Sequence, residues 1–266
     1  MSRSKTDLRS KILYLDVETA PDIAYVWGVY QTNAIDIKEH WQILTFAWRW
    51  GPRGKTQVLG IDDTPRRPKR KVEAGDDWWL MSQLHKLLEE AEIVVAHNGR
   101  AFDTRKITAR FIALGMKPPS PYKVVDTKNE AARVAAFSSN RLDWLGSQLG
   151  LGRKIAHEGF GMWVGCMANE PKAWARMKKY NKHDITLLVK LHERMAPWIR
   201  QPNAALYTQG DRCVNPLCGK KKLHVFPKLY FARTRAYKRA QCEACGKWAR
   251  QVQAIKGRGA SWVETE

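Results

Sequence analysis

The chain has 266 residues, with 46 Lys or Arg against 26 Asp or Glu and a formal charge of +20. Its 44% hydrophobic content and 12 Trp exclude a disordered chain and suffice for one sizeable domain plus a small module. The charge points to a polyanion, nucleic acid first, and nothing in the sequence supports a membrane role: no long apolar run, basic amphipathic helix or lipidation signal. Met1-Ser2-Arg3-Ser4-Lys5 leads into a strand with no signal-peptide pattern. Four of the five cysteines fall in two close pairs, which suits metal binding in a reducing compartment. A cytoplasmic protein is therefore expected.

Lys11-Ile12-Leu13-Tyr14-Leu15-Asp16-Val17-Glu18 reads as a buried strand, and because i and i+2 share a face, Asp16 and Glu18 project together at its end. Two strands over 43–50 and 55–61 are joined by the turn Gly51-Pro52-Arg53-Gly54. The basic loop 66–71 reads either as solvated or as a phosphate contact. Leu80, Leu84, Leu87, Leu88 and Ala91 share a face and predict a helix over 76–91. A short buried strand over 93–97 ends at Asn98-Gly99. A second helix over 103–114 buries Ile107, Phe111 and Leu114. Asp103 sits in its first turn, where the helix dipole alone favours a carboxylate.

Pro118-Pro119-Ser120-Pro121 precedes a strand over 122–126, and helices are expected over 128–137 and 141–149. Asp126 and Asp143 read as caps or structural acceptors, and His97 and His183 as structural. A glycine-rich loop is expected up to about residue 169, with Cys166 a free thiol within it. Pro171 opens the last helical section. From Tyr180 to Met195, Tyr180, Asp184, Leu187, Leu188, Leu191 and Met195 fall within one arc of roughly 120°. A carboxylate thus stands in an apolar stripe, where an unpartnered charge is costly. Three strands before any helix, then strand–helix alternation, imply an α/β fold with a mixed five-stranded sheet flanked by helices.

Hard divalent ions such as Mg²⁺ or Mn²⁺ take oxygen ligands, and a pair of them roughly 3.5–4 Å apart cleaves phosphodiesters by activating water and stabilising the leaving 3′ oxygen. Asp16-Val17-Glu18-Thr19, Asn98-Gly99-Arg100-Ala101-Phe102-Asp103 and Tyr180-Asn181-Lys182-His183-Asp184 resemble the three motifs of the DEDD 3′–5′ exonucleases, whose fold is ribonuclease H-like. The tyrosine four residues before the last acid resembles the tyrosine-type branch. Val125-Asp126-Thr127, Arg141-Leu142-Asp143-Trp144-Leu145 and Leu149-Gly150-Leu151-Gly152 look like the group related to the proofreading domain of family B polymerases. The resemblance spans about residues 11–198.

It implies Asp16, Glu18, Asp103 and Asp184 as ligands of two Mg²⁺ or Mn²⁺ ions, Tyr180 aligning the attacking water, and Asn98 and Phe102 shaping the pocket of the terminal nucleotide. It also implies release of nucleoside 5′-monophosphates, DNA favoured, in a bacterium or phage-infected cell, with a separate polymerase or other replication protein as partner. A structure-selective endonuclease, or a non-catalytic nucleic-acid-binding scaffold, are the alternatives.

The domain is expected over 1–200, followed by a linker over 201–211. Cys213-x₄-Cys218 and Cys242-x₂-Cys245 then place four thiols in two clusters suited to one structural Zn²⁺. The module, over 212–252, resembles a zinc ribbon, with strands at 223–226 and 229–231 and a mobile tail over 253–266. Residues 211–266 carry 13 Lys or Arg against 4 Asp or Glu, a balance of +9. Lys220, Lys221, Lys222, Arg233, Arg235, Lys238 and Arg239 are the candidate contacts to nucleic acid. The interleaved aromatics either stack bases or form the module's own core, and the surface serves nucleic acid or a replication protein.

Overall fold

A computed structural model describes residues 10–65, 71–73, 75–156, 159–206, 211–232 and 234–261. Most of the basic loop (66–70) and Arg233 lie outside these residues, as does 262–266 of the expected tail. The chain forms two compact units, Lys11–His192 and, beyond it, the C-terminal segment from Glu193. No helix among the described residues is long and apolar enough to cross a membrane.

The first unit runs β1 (Ile12–Thr19), β2 (Ile23–Tyr25), β3 (Asp36–Glu39), β4 (Ile43–Trp50), β5 (Gln57–Gly60), α1 (Trp78–Glu90), β6 (Ile93–Ala96), α2 (Asp103–Ala113), β7 (Lys123–Asp126), α3 (Thr127–Val134), α4 (Leu142–Gln148), α5 (Gly161–Met167) and α6 (Pro171–Met195). Its five-stranded sheet has the order β5-β4-β1-β6-β7. β1 pairs antiparallel with β4 and parallel with β6, which pairs parallel with β7, so the sheet is mixed and β1 is central. Leu13, Leu15 and Val17 of β1 join Leu80, Met81, Leu84 and Leu88 of α1 and Ile107 and Phe111 of α2 in one buried cluster. Asp16 and Glu18 alternate out of it.

Three elements of this unit were not expected. β2 and β3 form a small antiparallel hairpin whose residues are mostly exposed, so no hydrophobic period marks it. α5 occupies the end of the stretch expected as a glycine-rich loop. A Cβ on Gly165 would lie 2.7 Å from the Ala173 Cβ, so this glycine serves close packing of α5 on α6 rather than a turn. Cys166 is accordingly buried inside α5 rather than set in a loop, its thiol pushed up to about 12 by burial.

In the second unit, β8 (Leu223–Phe231), β9 (Ala236–Cys242) and β10 (Trp248–Arg250) form an antiparallel sheet of order β10-β9-β8. The two strands expected at 223–226 and 229–231 are one strand with an irregularity between Phe226 and Tyr230, around Pro227. β9 occupies the segment read as merely basic. Within the stretch expected as a mobile tail, Ile255 N donates to Ala236 O and Ala260 N to Thr234 O.

Candidate active site and cysteine centre

β1 runs on past the end of β6, and Asp103 Oδ1 at the start of α2 accepts the Val17 N–H at 3.1 Å. The turn entering α2 depends on Asn98, whose φ of 69° is left-handed, and on Gly99, where a Cβ would meet the Ala96 Cβ at 2.5 Å. Asp126 at the end of β7 accepts from the backbone N–H groups of Asn98, Arg100, Lys128 and Asn129, tying this turn to the start of α3.

α6 supplies the other wall. Asn181 Nδ2 donates to Asp16 Oδ2 at 2.5 Å while its Oδ1 accepts from Thr45 Oγ1. Further along α6, His192 Nδ1 meets the hydroxyl of Tyr14, which shares the face of Asp16 and Glu18.

Carboxylate oxygens of Asp16, Glu18 and Asp184 lie within 4.8 Å of one another. Asp103 is buried beside them but outside that trio, one oxygen being committed to Val17. Burial, then the charges of Asp103, Glu18 and Asp184, hold the Asp16 carboxyl well above its usual range. Burial and the Asp184 charge push Glu18 up to about 8, and burial pushes Asp103 up to about 7.

The cation in the site is Lys154, which sequence reasoning did not assign. Its Nζ lies 2.6 Å from Asp184 Oδ2 and 2.9 Å from the Tyr180 hydroxyl. Burial alone would lower its pKa, but the Asp184 charge and both hydrogen bonds raise it, so it stays an ammonium. The loop carrying Lys154 is pinned at three points. Asp143 Oδ1 accepts the Lys154 N–H at 2.7 Å, His183 Nε2 bonds Arg153 O, and Lys190 Nζ donates to Leu151 O. Burial and Asp184 push the buried Tyr180 up to about 12, so at neutral pH its hydroxyl is protonated.

One lysine does not neutralise these carboxylates, and Asp184 Oδ1 is buried with no hydrogen-bond partner among the described residues. Three carboxylates with oxygens this close, one of them also bearing a buried oxygen without a partner, form the kind of donor set a hard divalent cation takes. The residues fit such an ion.

A family model described as RNase_H superfamily matches residues 67–196. The domain is ribonuclease H-like. The match takes in Asp103, Lys154, Tyr180 and Asp184, while Asp16 and Glu18 precede it. The family B DNA polymerase of the hyperthermophilic archaeon Pyrobaculum calidifontis is a solved structure similar to this chain, at 15% identity and a TM-score of 0.49. The similarity covers 71% of this chain and 25% of the polymerase, so the chain spans a minor part of that relative's length. No curated protein sequence matches the chain.

Beside the acids of the ribonuclease H-like domain, Phe102 precedes α2 and is 38% exposed. Lys106 Nζ lies 3.6 Å over the Trp41 ring and 6.0 Å from that of Phe102. Asn98 Oδ1 accepts from Lys128 Nζ at 3.1 Å. Both predicted pocket residues thus border the turn that carries Asp103.

In the C-terminal unit the sulfurs of Cys213, Cys218, Cys242 and Cys245 lie within 4.8 Å of one another, and none forms a disulfide. The Cys213–Cys245 and Cys218–Cys242 sulfur separations are 3.5 and 3.8 Å. Tetrahedral coordination at about 2.3 Å per bond sets sulfurs about 3.8 Å apart, so the four thiols fit one such ion. Asn215, buried and not anticipated, explains the long Cys213-x₄-Cys218 spacing. Its Oδ1 accepts Leu217 N, its carbonyl accepts Cys218 N, and its Nδ2 donates to Cys245 Sγ at 3.7 Å. Lys220, Lys221, Lys222, Arg235 and Lys238 are exposed, and Arg239 is partly covered by rings.

Proposed function

We propose that this chain is a metal-dependent 3′–5′ exonuclease acting on nucleic acid, DNA favoured, through Asp16, Glu18, Asp103, Tyr180 and Asp184. The observation that carries this reading is the convergence of carboxylate oxygens of Asp16, Glu18 and Asp184 within 4.8 Å of one another. These carboxylates and Asp103 would hold two Mg²⁺ or Mn²⁺ ions, whose chemistry when bound is Lewis-acid stabilisation of charge on phosphate oxygens and acidification of water. Tyr180, protonated at neutral pH, orients the attacking water by hydrogen bonding rather than removing its proton. Lys154 fixes that hydroxyl and favours the ionised form of Asp184 against the burial that raises its pKa. The P–O3′ bond breaks, so the phosphate leaves on the released nucleoside 5′-monophosphate. Phe102 and Asn98 border the terminal nucleotide.

The C-terminal module holds one structural Zn²⁺ on its four cysteines. The proposed setting is DNA replication or repair in a bacterium or phage-infected cell, beside a separate polymerase.

The test compares 3′-labelled with internally labelled single-stranded DNA and RNA, in Mg²⁺, Mn²⁺ or EDTA. Mononucleotides appearing first from the 3′ label, only with metal, are expected. Internal fragments would make the chain an endonuclease. Undiminished degradation by Asp16→Ala would remove the site assignment altogether.

A further inference from the structure

The C-terminal sheet has two faces of different chemistry. Direct cross-strand partners share a face, so the register Phe226–Arg239–Arg250, His224–Gln241–Trp248 and Tyr230–Tyr237 puts all eight of these residues on one side. On that side Arg239 lies 5.0 Å over the Trp248 ring and 6.0 Å from that of Phe226, the two rings themselves being 5.0 Å apart. Arg250 lies 4.2 Å over Tyr237 and 5.9 Å from Tyr230. Neither arginine pairs with a carboxylate among the described residues, and Arg239 Nε is buried with no hydrogen-bond partner among them. Their charges rest on rings. Lys238, by strand alternation, belongs to the opposite face.

Were these rings only the module's core they would be closed off from solvent. Instead Tyr230 is 47% and Trp248 46% exposed. A face with open rings, two arginines and a surrounding balance of +9 suits a polyanion that also presents flat apolar surfaces. An unpaired strand offers both phosphates and base faces, whereas duplex bases are already stacked.

Resting on the reading of the chain as a nucleic-acid enzyme, we propose that this face binds an unpaired strand by stacking bases on Tyr230 and Trp248. Arg250 and Arg239 supply the attraction for the adjoining phosphates. The face thereby selects single-stranded substrate.

The test measures binding of a labelled oligodeoxythymidylate and of a matched duplex to the full zinc-loaded chain, with no divalent ion added so that nothing is cleaved. Trp248→Ala and Tyr230→Ala should each weaken oligonucleotide binding roughly 10-fold. Trp248→Phe should restore most of it. Lys238→Gln should weaken oligonucleotide and duplex alike by only a salt-dependent few-fold. Zinc content reports whether each variant is folded. Photocrosslinking of an iododeoxyuridine oligonucleotide to the unaltered chain needs no variant and should map to β8 and β10. Unchanged binding in both alanine variants, or crosslinks confined to other segments, would overturn the proposal and leave the face to a protein partner. Hydrolysis of the p-nitrophenyl ester of thymidine 5′-monophosphate, a single nucleotide with no strand for the face to hold, should be unaffected by these variants. Its absence in the unaltered chain would count against the nuclease reading alone.

Discussion

The carboxylate cluster and the cysteine cluster gather like groups by opposite economies. Asp16 and Glu18 come from β1, Asp103 from the start of α2 and Asp184 from the middle of α6, so a finished domain is needed to bring them together. Carboxylates are charged in water, and crowding them in partial burial opposes folding. The cluster around Leu13, Leu84 and Phe111 offsets that cost, and Lys154 relieves part of it. The thiols lie within a short segment, and burial raises the Cys213 thiol further from ionisation. Crowding them costs little, but the unit has little else: from Glu193 on, its buried apolar residues among those described are Met195, Ala196, Ile199, Ala204, Cys213, Ala236 and Cys242, and only the last three lie in or beside its sheet. On the proposed function, the ribonuclease H-like domain would make its metal site, whereas the metal site would make the C-terminal module.

The largest effect that could break this contrast is loss of zinc. Cys242→Ser should abolish stoichiometric zinc and remove hydrogen-exchange protection across β8, β9 and β10, leaving Lys11–His192 protected. Structural zinc supplies on the order of 10 kcal/mol in small modules, more than so few buried apolar residues can replace. Full protection of 223–250 without zinc would show that the sheet stands unaided.

Next in size is Glu18→Gln. It should lower cleavage by about 10³-fold or more, since divalent-ion stabilisation of transition-state charge is worth several kcal/mol. Yet in protein stripped of divalent ions the same change should stabilise the fold. Glu18 has its pKa raised to about 8 from 4.5, so the folded state holds a proton that the unfolded state releases. Stability of the stripped domain should therefore fall as pH rises from about 4.5 to about 8, by a few kcal/mol in all. Glu18→Gln should lessen that slope, since Asp16 and Asp103 are raised as well, and saturating Mn²⁺ should flatten it. Denaturant titrations at pH 5 and pH 8 check both statements, and a stability that rises over this interval would contradict them.

How much of this was legible depended on how local each signal is. The cysteines declared themselves by spacing. The acids did so through three short motifs, Asp16 and Glu18 at a strand end, Asp103 opening α2, and Asp184 in an apolar stripe. The five-stranded mixed sheet followed from hydrophobic period and element order. Lys154 was invisible because an exposed-looking Gly-Arg-Lys loop acquires meaning only when Asp143, His183 and Lys190 fold it onto α6. α5 was hidden by glycines that serve packing, and the β2–β3 hairpin by its lack of a buried face. β9 alternates aromatic and cationic residues on one side, which reads as charge rather than as strand.

Both sites also rest on an asparagine, and here the comparison is at its finest. Asn181 donates to Asp16 Oδ2 and is itself fixed by Thr45; Asn215 donates to Cys245 Sγ and is fixed by the turn it caps. Each orients one ligand and lowers the cost of its negative charge. Losing such a partner typically costs about 10- to 100-fold in metal affinity. Asn181→Ala should raise the Mn²⁺ concentration needed for cleavage by that factor while zinc stays bound, and Asn215→Ala should weaken zinc and leave the Mn²⁺ requirement unchanged. Burial and three neighbouring carboxylates hold Asp16 well above its usual range, so the Asn181 effect should be the larger of the two. Equal effects in a paired metal titration would mean that the asparagines only hold backbone in place, and that the crowding of carboxylates is not felt by the ion.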